Sequence, residues 1–392
     1  MPSISTKELK RAVISGKVGA ITIDTSIVES HQFGFEVGVL ALMSQFSRSD
    51  VTHLIPDIVL HEITAHLKKE SILQKSKATN ALKPLGNSWG IDKEKRTEAL
   101  RVLFGEQSGE ERTQERLQEF LDDTSATVLS CAEFVGIGEL LSRFIETKPP
   151  FGTKEAKKNE FPDALALLAL EGWARKNDTT VVAVSTDGDW KQFCASSDLI
   201  YIVDNLAHAL SVFQSDADEA ADLFKTMLLR NEVADVEVTI NEALNFQSDK
   251  IEIHVEAYSQ WSYDEDAPDI SFEPDKPLLE QIQEFDVVEY ESNTLVIQTT
   301  VSMNVTAAIS FGLDQWDSID REYLHLGNAT RSCTELTDLN LILTIVFDNG
   351  SASIDHVELL PTGISMNFGE LEPDWMHGPD DHDEMEEEEG SF

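Results

Sequence analysis

Cysteine is scarce in this sequence, and no apolar run is long enough to cross a membrane. The 392 residues include 3 cysteines. They lie far apart, at Cys131, Cys194 and Cys333, and their spacing matches no metal-binding motif. The N-terminal segment lacks the apolar core of a signal peptide. We therefore expect a cytoplasmic protein with reduced thiols and without a membrane span.

Basic residues are also few, and their distribution is uneven. The chain has 30 lysines and arginines against 72 aspartates and glutamates, a net charge of −42. Residues 1–210 carry 24 basic and 30 acidic groups, a net of −6, whereas residues 211–392 carry 6 and 42, a net of −36. The C-terminal part should repel a phosphate backbone, while the N-terminal part could still bind one locally.

Two common enzyme motifs are missing. No glycine-rich loop precedes a lysine and a serine or threonine, so a P-loop ATPase is unsupported. The run from His61 to His66 looks like a zinc-protease motif. That motif needs histidines four residues apart on one helix face, and these are five apart. Neither class of enzyme is therefore expected.

Short apolar segments alternate with helical patterns over residues 1–230. This alternation predicts an α/β domain with a parallel sheet. The residues between the second and third expected strands, about 70–125, are helical in pattern and highly charged, so we expect a helical insert there. The expected strands are residues 18–24, 51–55, 127–131, 179–184 and 199–203.

The pattern changes to a period of two after residue 230. Val236, Val238 and Ile240 alternate with polar residues, and so do residues 251–255. The pair Asn349-Gly350 is typical of a tight hairpin turn. These features predict an antiparallel, sandwich-like β domain over residues 231–375. The strongly acidic residues 376–392 are expected to form a disordered tail.

Four carboxylates occupy comparable places in the predicted α/β domain. Asp24 ends the first strand, Glu62 lies on the helix after the second, Asp163 begins the central helix, and Asp187 ends the strand that follows. The carboxyl ends of parallel strands meet at one edge of a sheet, where ligands bind. Clustered carboxylates repel one another unless cations neutralise them, and Mg²⁺ or Mn²⁺ suits oxygen ligands. The pattern predicts two-metal cleavage of phosphodiester bonds.

Other residues could complete this site. Glu160 lies three residues before Asp163, so the two could share a helix face, and Asp189 follows Asp187 closely. Both are candidate additional metal ligands. Hydroxyl groups that could orient ligands or water are those of Ser26, Ser185 and Thr186. Structural interpretations stay open, because Asp163 could be only a helix cap and Asp187 only part of a turn.

In order, the four acidic segments resemble the four motifs of PIN-domain nucleases, especially the larger bacterial branch, in which a Pro-Pro-Phe-Gly loop precedes the third motif. The resemblance covers roughly residues 18–205. The segments are Ile-Asp24-Thr-Ser, Ile-Pro-Asp-Ile-Val-Leu-His-Glu62, Phe-Pro-Asp163-Ala and Val-Ser-Thr-Asp187-Gly-Asp189-Trp.

The resemblance implies a Rossmann-like sheet of about five parallel strands and a metal-dependent endonuclease that usually acts on RNA. It implies metal ligation by Asp24, Glu62, Asp163 and Asp187, with Asp189 as a less secure ligand. The helical insert departs from the family pattern. Nothing in the resemblance covers residues 231–392.

Two basic stretches flank the acidic motifs. Residues 68–101 contain nine basic and four acidic groups, and residues 143–158 contain five and two. Basic charge beside an acidic metal cleft is what a nucleic-acid substrate requires, although such runs are often solvated helix faces. The substrate-binding candidates are Lys68, Lys69, Lys154, Lys157 and Lys158.

Three functions remain open at this stage. The first is a metal-dependent endoribonuclease, with a toxin or phage-defence role by analogy. The second is a structure-specific DNase. The third is a catalytically degenerate PIN scaffold that binds a protein partner. For the acidic β domain we favour recognition of a protein partner or of a second subunit. For the tail, two roles stay open: it could keep the protein soluble, or it could inhibit the nuclease by competing with substrate.

Overall fold

The computed structural model describes residues 6–152, 160–214, 217–318, 322–348 and 350–376. The chain divides into two compact units. Unit 1 is Met1–Phe224 with Asp286–Gln298, and unit 2 is Lys225–Phe285 with Thr299–Phe392. The predicted domain boundaries near residues 230 and 375 stay a prediction. The predicted tail, except Met376, lies outside the described residues.

A five-stranded parallel sheet with the strand order β3-β2-β1-β4-β5 forms the centre of unit 1. Its middle strands are rich in β-branched residues, and β4 is buried at every position. The predicted α/β class and parallel sheet are confirmed. The strands are β1 Val18–Ile23, β2 Thr52–Pro56, β3 Thr127–Leu129, β4 Thr180–Val184 and β5 Ile200–Val203.

Helices connect and cover these strands. The helix that follows Glu160 has Pro162 in its first turn, where a missing N–H costs little, and its alanines and all of its leucines except Leu165 are buried. The helices are α1 Thr6–Ile14, α2 Thr25–Ser30, α3 Gly38–Ala41, α4 Asp57–Ala81, α5 Leu85–Ser88, α6 Lys93–Phe104, α7 Gly109–Asp123, α8 Cys131–Phe134, α9 Ile137–Glu146, α10 Phe161–Lys176, α11 Gly188–Cys194, α12 Leu206–Ser211 and α13 Asp218–Leu229, with a 3₁₀ helix at Leu42–Arg48.

The C-terminal part is rich in antiparallel β structure, as predicted. Six strands form a sheet in which β12, β11, β10 and β7 follow one another, and β8 and β9 also pair with β10. A second, two-stranded sheet pairs β6 with β13 in parallel. The strands are β6 Ile251–Tyr258, β7 Ser262–Glu265, β8 Asp269–Pro274, β9 Phe285–Glu291, β10 Thr294–Asp317, β11 Glu322–Asp348, β12 Ser351–Leu359 and β13 Thr362–Glu370.

The hairpin between β11 and β12 has the predicted length. Asp348 pairs with Ser351, which leaves a two-residue turn. Gly350 has a φ of +85°, a conformation that glycine adopts without strain, and Asn349 lies outside the described residues. The remaining helices are α14 Val236–Phe246 and α15 Leu278–Gln281, with 3₁₀ turns at Ser248–Lys250 and Asp374–Met376.

One predicted strand is wrong. Residues 236–240 belong to helix α14, in which Val236, Ile240 and Leu244 are buried and Val238 is exposed. Positions i and i+4 lie on one side of a strand and also on one face of a helix, so the short pattern fits both. Leu244, at i+8, continues the helical face. Within the described ranges, no helix is long and apolar enough to span a membrane.

Candidate functional site

Asp24 is the most buried of the four predicted carboxylates. It follows β1 and caps the N-terminus of α2, where it accepts a hydrogen bond from the backbone N–H of Thr25 (2.7 Å). Its Oδ2 accepts from the hydroxyls of Ser26 (2.6 Å) and Ser185 (2.8 Å). Burial raises the pKa of Asp24, the three donors oppose this rise, and the charge of Asp187 adds to it.

Glu62 reaches the same region from the second turn of α4. Its Oε2 accepts a hydrogen bond from the hydroxyl of Thr25 (3.2 Å), so a single residue donates to two of the carboxylates. Partial burial raises the pKa of Glu62, and the charge of Asp24 raises it further. The Thr25 bond and the nearby His66 and His61 act in the opposite direction.

Asp163 lies in the first turn of α10. Its Oδ1 accepts a hydrogen bond from the indole N–H of Trp190 (2.8 Å). Burial raises the pKa of Asp163 to about 7, against the lowering effect of the indole. The charges of Asp24, Asp187 and Glu62 raise this pKa as well. A carboxyl group that titrates near neutral pH is typical of functional sites, although structural networks also produce such groups.

Asp187 ends the connection from β4 and caps the N-terminus of α11. Its Oδ1 accepts from the backbone N–H groups of Asp189 (2.7 Å) and Trp190 (3.2 Å). The hydroxyl of Ser185 accepts from the backbone N–H of Asp187 (3.0 Å). Asp187 therefore caps a helix, whereas only a turn was considered for it from the sequence, and this role leaves its side chain at the carboxyl edge of the sheet.

The structure brings these four carboxylates together. Strands β1 and β4 are neighbours, with Ile23 opposite Val184, so the residues that follow them meet at one edge. The charges of Asp24, Glu62 and Asp187 all raise the pKa of Asp163, and Asp24 and Asp187 also raise the pKa of Glu62 and of Asp24, respectively. We call this group the acidic cluster; its members are Asp24, Glu62, Asp163 and Asp187.

The other predicted residues take different places. Ser26 and Ser185 hold Asp24, whereas Thr186 contributes its backbone N–H to the hydroxyl of Ser26 (3.4 Å). Glu160 accepts from the backbone N–H of Gly152 (2.8 Å), so its carboxylate holds the preceding loop. Asp189 is half-buried in the first turn of α11, beside Asp187.

Two of the five predicted substrate-binding lysines lie within the described residues. Lys68 forms an ion pair with Glu110 (2.7 Å), which engages its charge within the helical insert. Lys69 is exposed on α4, two turns beyond Glu62. Lys154, Lys157 and Lys158 lie outside the described residues. The roles assigned to all five lysines stay predictions.

Two functional contacts were missed by sequence reasoning. Thr25 and Trp190 appear in the sequence motifs, but the sequence predicted no role for either side chain. Trp190 is fully buried, and its indole N–H donates to Asp163. Because a buried indole usually finds a hydrogen-bond partner, its position three residues after Asp187 was an available signal.

The donor chemistry of the acidic cluster fits a hard divalent cation. Four carboxylates offer oxygen ligands, and burial together with the charges of neighbouring carboxylates raises the pKa of Asp24, Glu62 and Asp163, so a bound cation would stabilise their charged forms. As the side chains stand, however, no three histidine, cysteine, aspartate or glutamate side chains in the described part of the chain form a ready metal site. Several of the oxygens are instead bonded to protein donors, such as Ser26, Ser185 and Trp190.

Comparison with known families gives a match in this region. Residues 21–190 match the PIN domain family. The match contains all four members of the acidic cluster and confirms the predicted resemblance. PIN domains are generally nucleases and generally use divalent metal ions. The family match does not extend to the β-rich C-terminal part. Searches for similar curated proteins and for similar solved structures found no match.

Proposed function

We propose that the PIN domain of this chain is a metal-dependent endonuclease that cleaves phosphodiester bonds, with RNA as the favoured substrate. The observation that carries the proposal is the acidic cluster at the carboxyl ends of β1 and β4, in which the pKa of Asp163 is raised to about 7. Such mutual repulsion is relieved most directly by cations. RNA is favoured because the family usually acts on it.

In this proposal the acidic cluster holds Mg²⁺ or Mn²⁺, with Asp189 as a supplementary ligand. Two such ions, when bound, would supply the activation of a water molecule and the neutralisation of charge on the departing oxygen. The protein's own donors fix the ligands before substrate arrives. Ser26 and Ser185 hold one oxygen of Asp24, and Trp190 orients Asp163. Glu160 is the other supplementary ligand of the proposal, and its carboxylate also accepts a hydrogen bond from the backbone N–H of Gly152.

The basic groups beside the cluster supply the substrate contacts in this proposal. Lys69 is exposed on the helix that carries Glu62. Lys154, Lys157 and Lys158 precede Asp163 in the sequence, and the proposal assigns them contacts with the phosphate backbone. Loss of these charges should weaken binding and flatten its salt dependence.

The deciding experiment incubates end-labelled RNA and DNA with the purified full chain in Mg²⁺, Mn²⁺ or EDTA. We expect metal-dependent internal cleavage of RNA, abolished in Asp24→Asn and in Asp163→Asn. The exposed Asp123→Asn, on α7, is the matched control and should cleave as the parent does. Cleavage of DNA alone would favour a structure-specific DNase. Retained Mn²⁺-dependent cleavage by Asp163→Asn would overturn the assignment of the site.

A catalytically degenerate scaffold is the second candidate. The observation that favours it is the engagement of cluster oxygens by protein donors, with no ready three-ligand group among the described residues. The two candidates differ in metal binding. Titration calorimetry with Mn²⁺ should show binding that Asp24→Asn weakens if the site is catalytic, and no binding if it is degenerate.

A toxin-like or phage-defence role and a cytoplasmic location remain proposals that follow from the family analogy and the composition. Induced expression in bacterial cells tests the first. Growth arrest by the parent chain, and its loss in Asp24→Asn at equal expression, is the outcome expected of a nuclease toxin. Equal growth of both strains would remove that role.

A further inference from the structure

The helical insert has an unusual surface. From Lys68 to Arg112, across the end of α4 and all of α5 and α6, no described side chain is buried. Helices in a folded chain normally bury one apolar face, since packing of that face supplies most of their stability. We call residues 68–104 the arm. Its exposed face requires an explanation.

Apolar side chains are abundant on the arm. Val102 is 75% exposed and Trp89 is 78% exposed, while Ile72, Leu73 and Leu103 are also exposed. A cavity of about 270 Å³ lies between α4 and the start of α7, and Ile72 forms part of its wall. Several exposed apolar side chains on one segment indicate a surface that contacts protein, because nucleic-acid interfaces are dominated by polar and basic groups.

The arm is also held in a defined shape. Arg96 on α6 donates to the backbone carbonyl of Lys83 (3.1 Å), which ties α6 to the start of α5. At the other end of α6, the ammonium of Lys75 lies 5.6 Å from the ring centroid of Phe104. These contacts fix the arm's helices to one another, so its apolar side chains are presented on an ordered support.

The arm is positively charged in an otherwise acidic chain. Residues 68–101 carry nine basic and four acidic side chains, a net of +5. A partner that covers the arm should therefore combine apolar groups with negative charge.

Unit 2 carries a surface with those properties. The rings of Trp316 and Tyr323 are in edge contact, with centroids 5.0 Å apart, and both side chains are exposed. The indole N–H of the exposed Trp375 donates to the carbonyl of Leu326 (2.8 Å), which places a third aromatic residue near the start of β11. We call this group the aromatic tip; its members are Trp316, Tyr323, Leu324, Trp375 and Met376.

Acidic side chains accompany the aromatic tip in the sequence. Asp314, Asp317 and Glu322 flank Trp316 and Tyr323, and Glu372 and Asp374 precede Trp375. Arg331 pairs with Asp374 (3.1 Å) and His325 with Asp314 (3.0 Å), but acidic side chains outnumber basic ones in these segments. Exposed aromatic residues are typical anchors of protein interfaces. The aromatic tip and the arm are thus complementary both in apolar character and in charge.

We propose that the aromatic tip of one copy of this chain docks on the arm of a second copy. A second copy is the occupant that the observations favour, because this one chain carries both halves of a complementary pair and exposes both. The contact is heterologous, with different surfaces on its two sides. It therefore closes as a reciprocal pair or continues as a larger assembly.

Two variants break the contact from opposite sides. Val102→Glu with Leu103→Glu places negative charge on the arm without touching a buried residue. Trp316→Ala with Tyr323→Ala removes two rings that contact each other, so no partner is left unsatisfied. Ile145→Glu, on α9, is the matched control, because Ile145 is an aliphatic residue 77% exposed outside the arm.

Light scattering coupled to gel filtration, over a range of protein concentration, provides the readout. We expect the parent chain and Ile145→Glu to associate. Each double variant should dissociate at least about tenfold more readily. An equimolar mixture of the two double variants should recover part of the association, since each retains the surface that the other lacks. Association of the parent should also weaken as salt rises.

Three results would overturn the proposal. The first is a monomeric mass for the parent at every concentration. The second is association that survives in the aromatic-tip variant but not in the arm variant, which would mean arm-to-arm contact. The third is an unchanged mass for the arm variant together with weaker binding of labelled RNA, which would make the arm a nucleic-acid surface.

Discussion

Trp190 donates its indole N–H to Oδ1 of Asp163, while its backbone N–H donates to Oδ1 of Asp187. One residue in the first turn of α11 therefore holds two members of the acidic cluster. Thr25 does the same for the other two, since its N–H donates to Asp24 and its hydroxyl donates to Glu62. The cluster is supported by two donors that carry no charge and that bind no metal in our proposal.

This arrangement predicts the behaviour of Trp190→Phe. The indole bond lowers the pKa of Asp163, so its loss should raise that pKa and favour the neutral acid. Fixed ligand geometry is lost at the same time. We expect nuclease activity to fall about tenfold or more at neutral pH and to recover partly at higher pH. Rates measured from pH 6 to pH 9 provide the test.

Trp173→Phe, on the same helix as Asp163, serves as the control for loss of an indole. Its pH–rate profile should match that of the parent. A Trp190→Phe profile with the parent's shape, merely scaled down, would indicate that the indole bond does not set the protonation of Asp163.

The raised pKa of Asp163 also predicts how the folding stability of the metal-free protein changes with pH. Its pKa is about 7 in the folded chain against 3.8 for the free side chain, so the folded state binds more protons between these values. The Asp163 contribution to stability is therefore full below pH 3.8 and is lost as pH rises through 7. Denaturation in EDTA at several pH values should show that Asp163→Asn gains stability over the parent at pH 8.

The opposite result, a loss of stability in Asp163→Asn at pH 8, would mean that the folded chain favours the charged carboxylate. Asp123→Asn again provides the control, because that residue is exposed and remote in sequence from the cluster.

Divalent cations should reverse the loss of stability that Asp163 causes in the metal-free protein as pH rises. Protons and metal ions compete for the acidic cluster, so metal binding is expected to strengthen as pH rises through 7 and to release protons. We expect Mn²⁺ to raise the melting temperature by several degrees at pH 8 and by less at pH 5.5. Asp24→Asn should lose most of that rise, and equal shifts at both pH values would contradict proton competition.

The strands of the parallel sheet were predictable because their composition leaves little choice. The residues of β4, Thr180–Val184, are all buried, and such continuous β-branched runs fit a sheet covered on both faces. Three of the four acids could be placed because each adjoins such a strand or lies in the first turn of a helix, and Glu62 could be placed because it lies on the helix that directly follows β2. Their places follow from local sequence, and the fold carries them to one edge.

The donors to those acids could not be predicted in the same way. Thr25 and Glu62 are 37 residues apart, and Asp163 and Trp190 are 27 apart, so only the packing of α2 on α4 and of α10 on α11 joins them. Residues 236–240 were assigned to a strand because three alternating residues cannot distinguish a strand from a helix. The buried Leu244 resolves that choice only when the longer segment is considered.

His53, the second residue of β2, is buried. Among the described residues neither of its ring nitrogens has a hydrogen-bond partner, and its ring meets that of Phe120 edge to face at 5.9 Å. Burial lowers the pKa of His53 to about 3, against 6.5 for the free side chain. The unfolded chain therefore binds one more proton than the folded chain between these values, and folding stability should rise with pH across that window, by about 1.4 kcal/mol per unit. This slope is opposite in sign to that of Asp163, so the two largely cancel in the metal-free parent between pH 4 and pH 6.5.

His53→Phe should remove the rising contribution and leave stability that falls with pH across this range. Urea denaturation of the parent, His53→Phe and the double variant His53→Phe/Asp163→Asn separates the two effects. A His53→Phe curve parallel to that of the parent would show that His53 gains a proton while still folded.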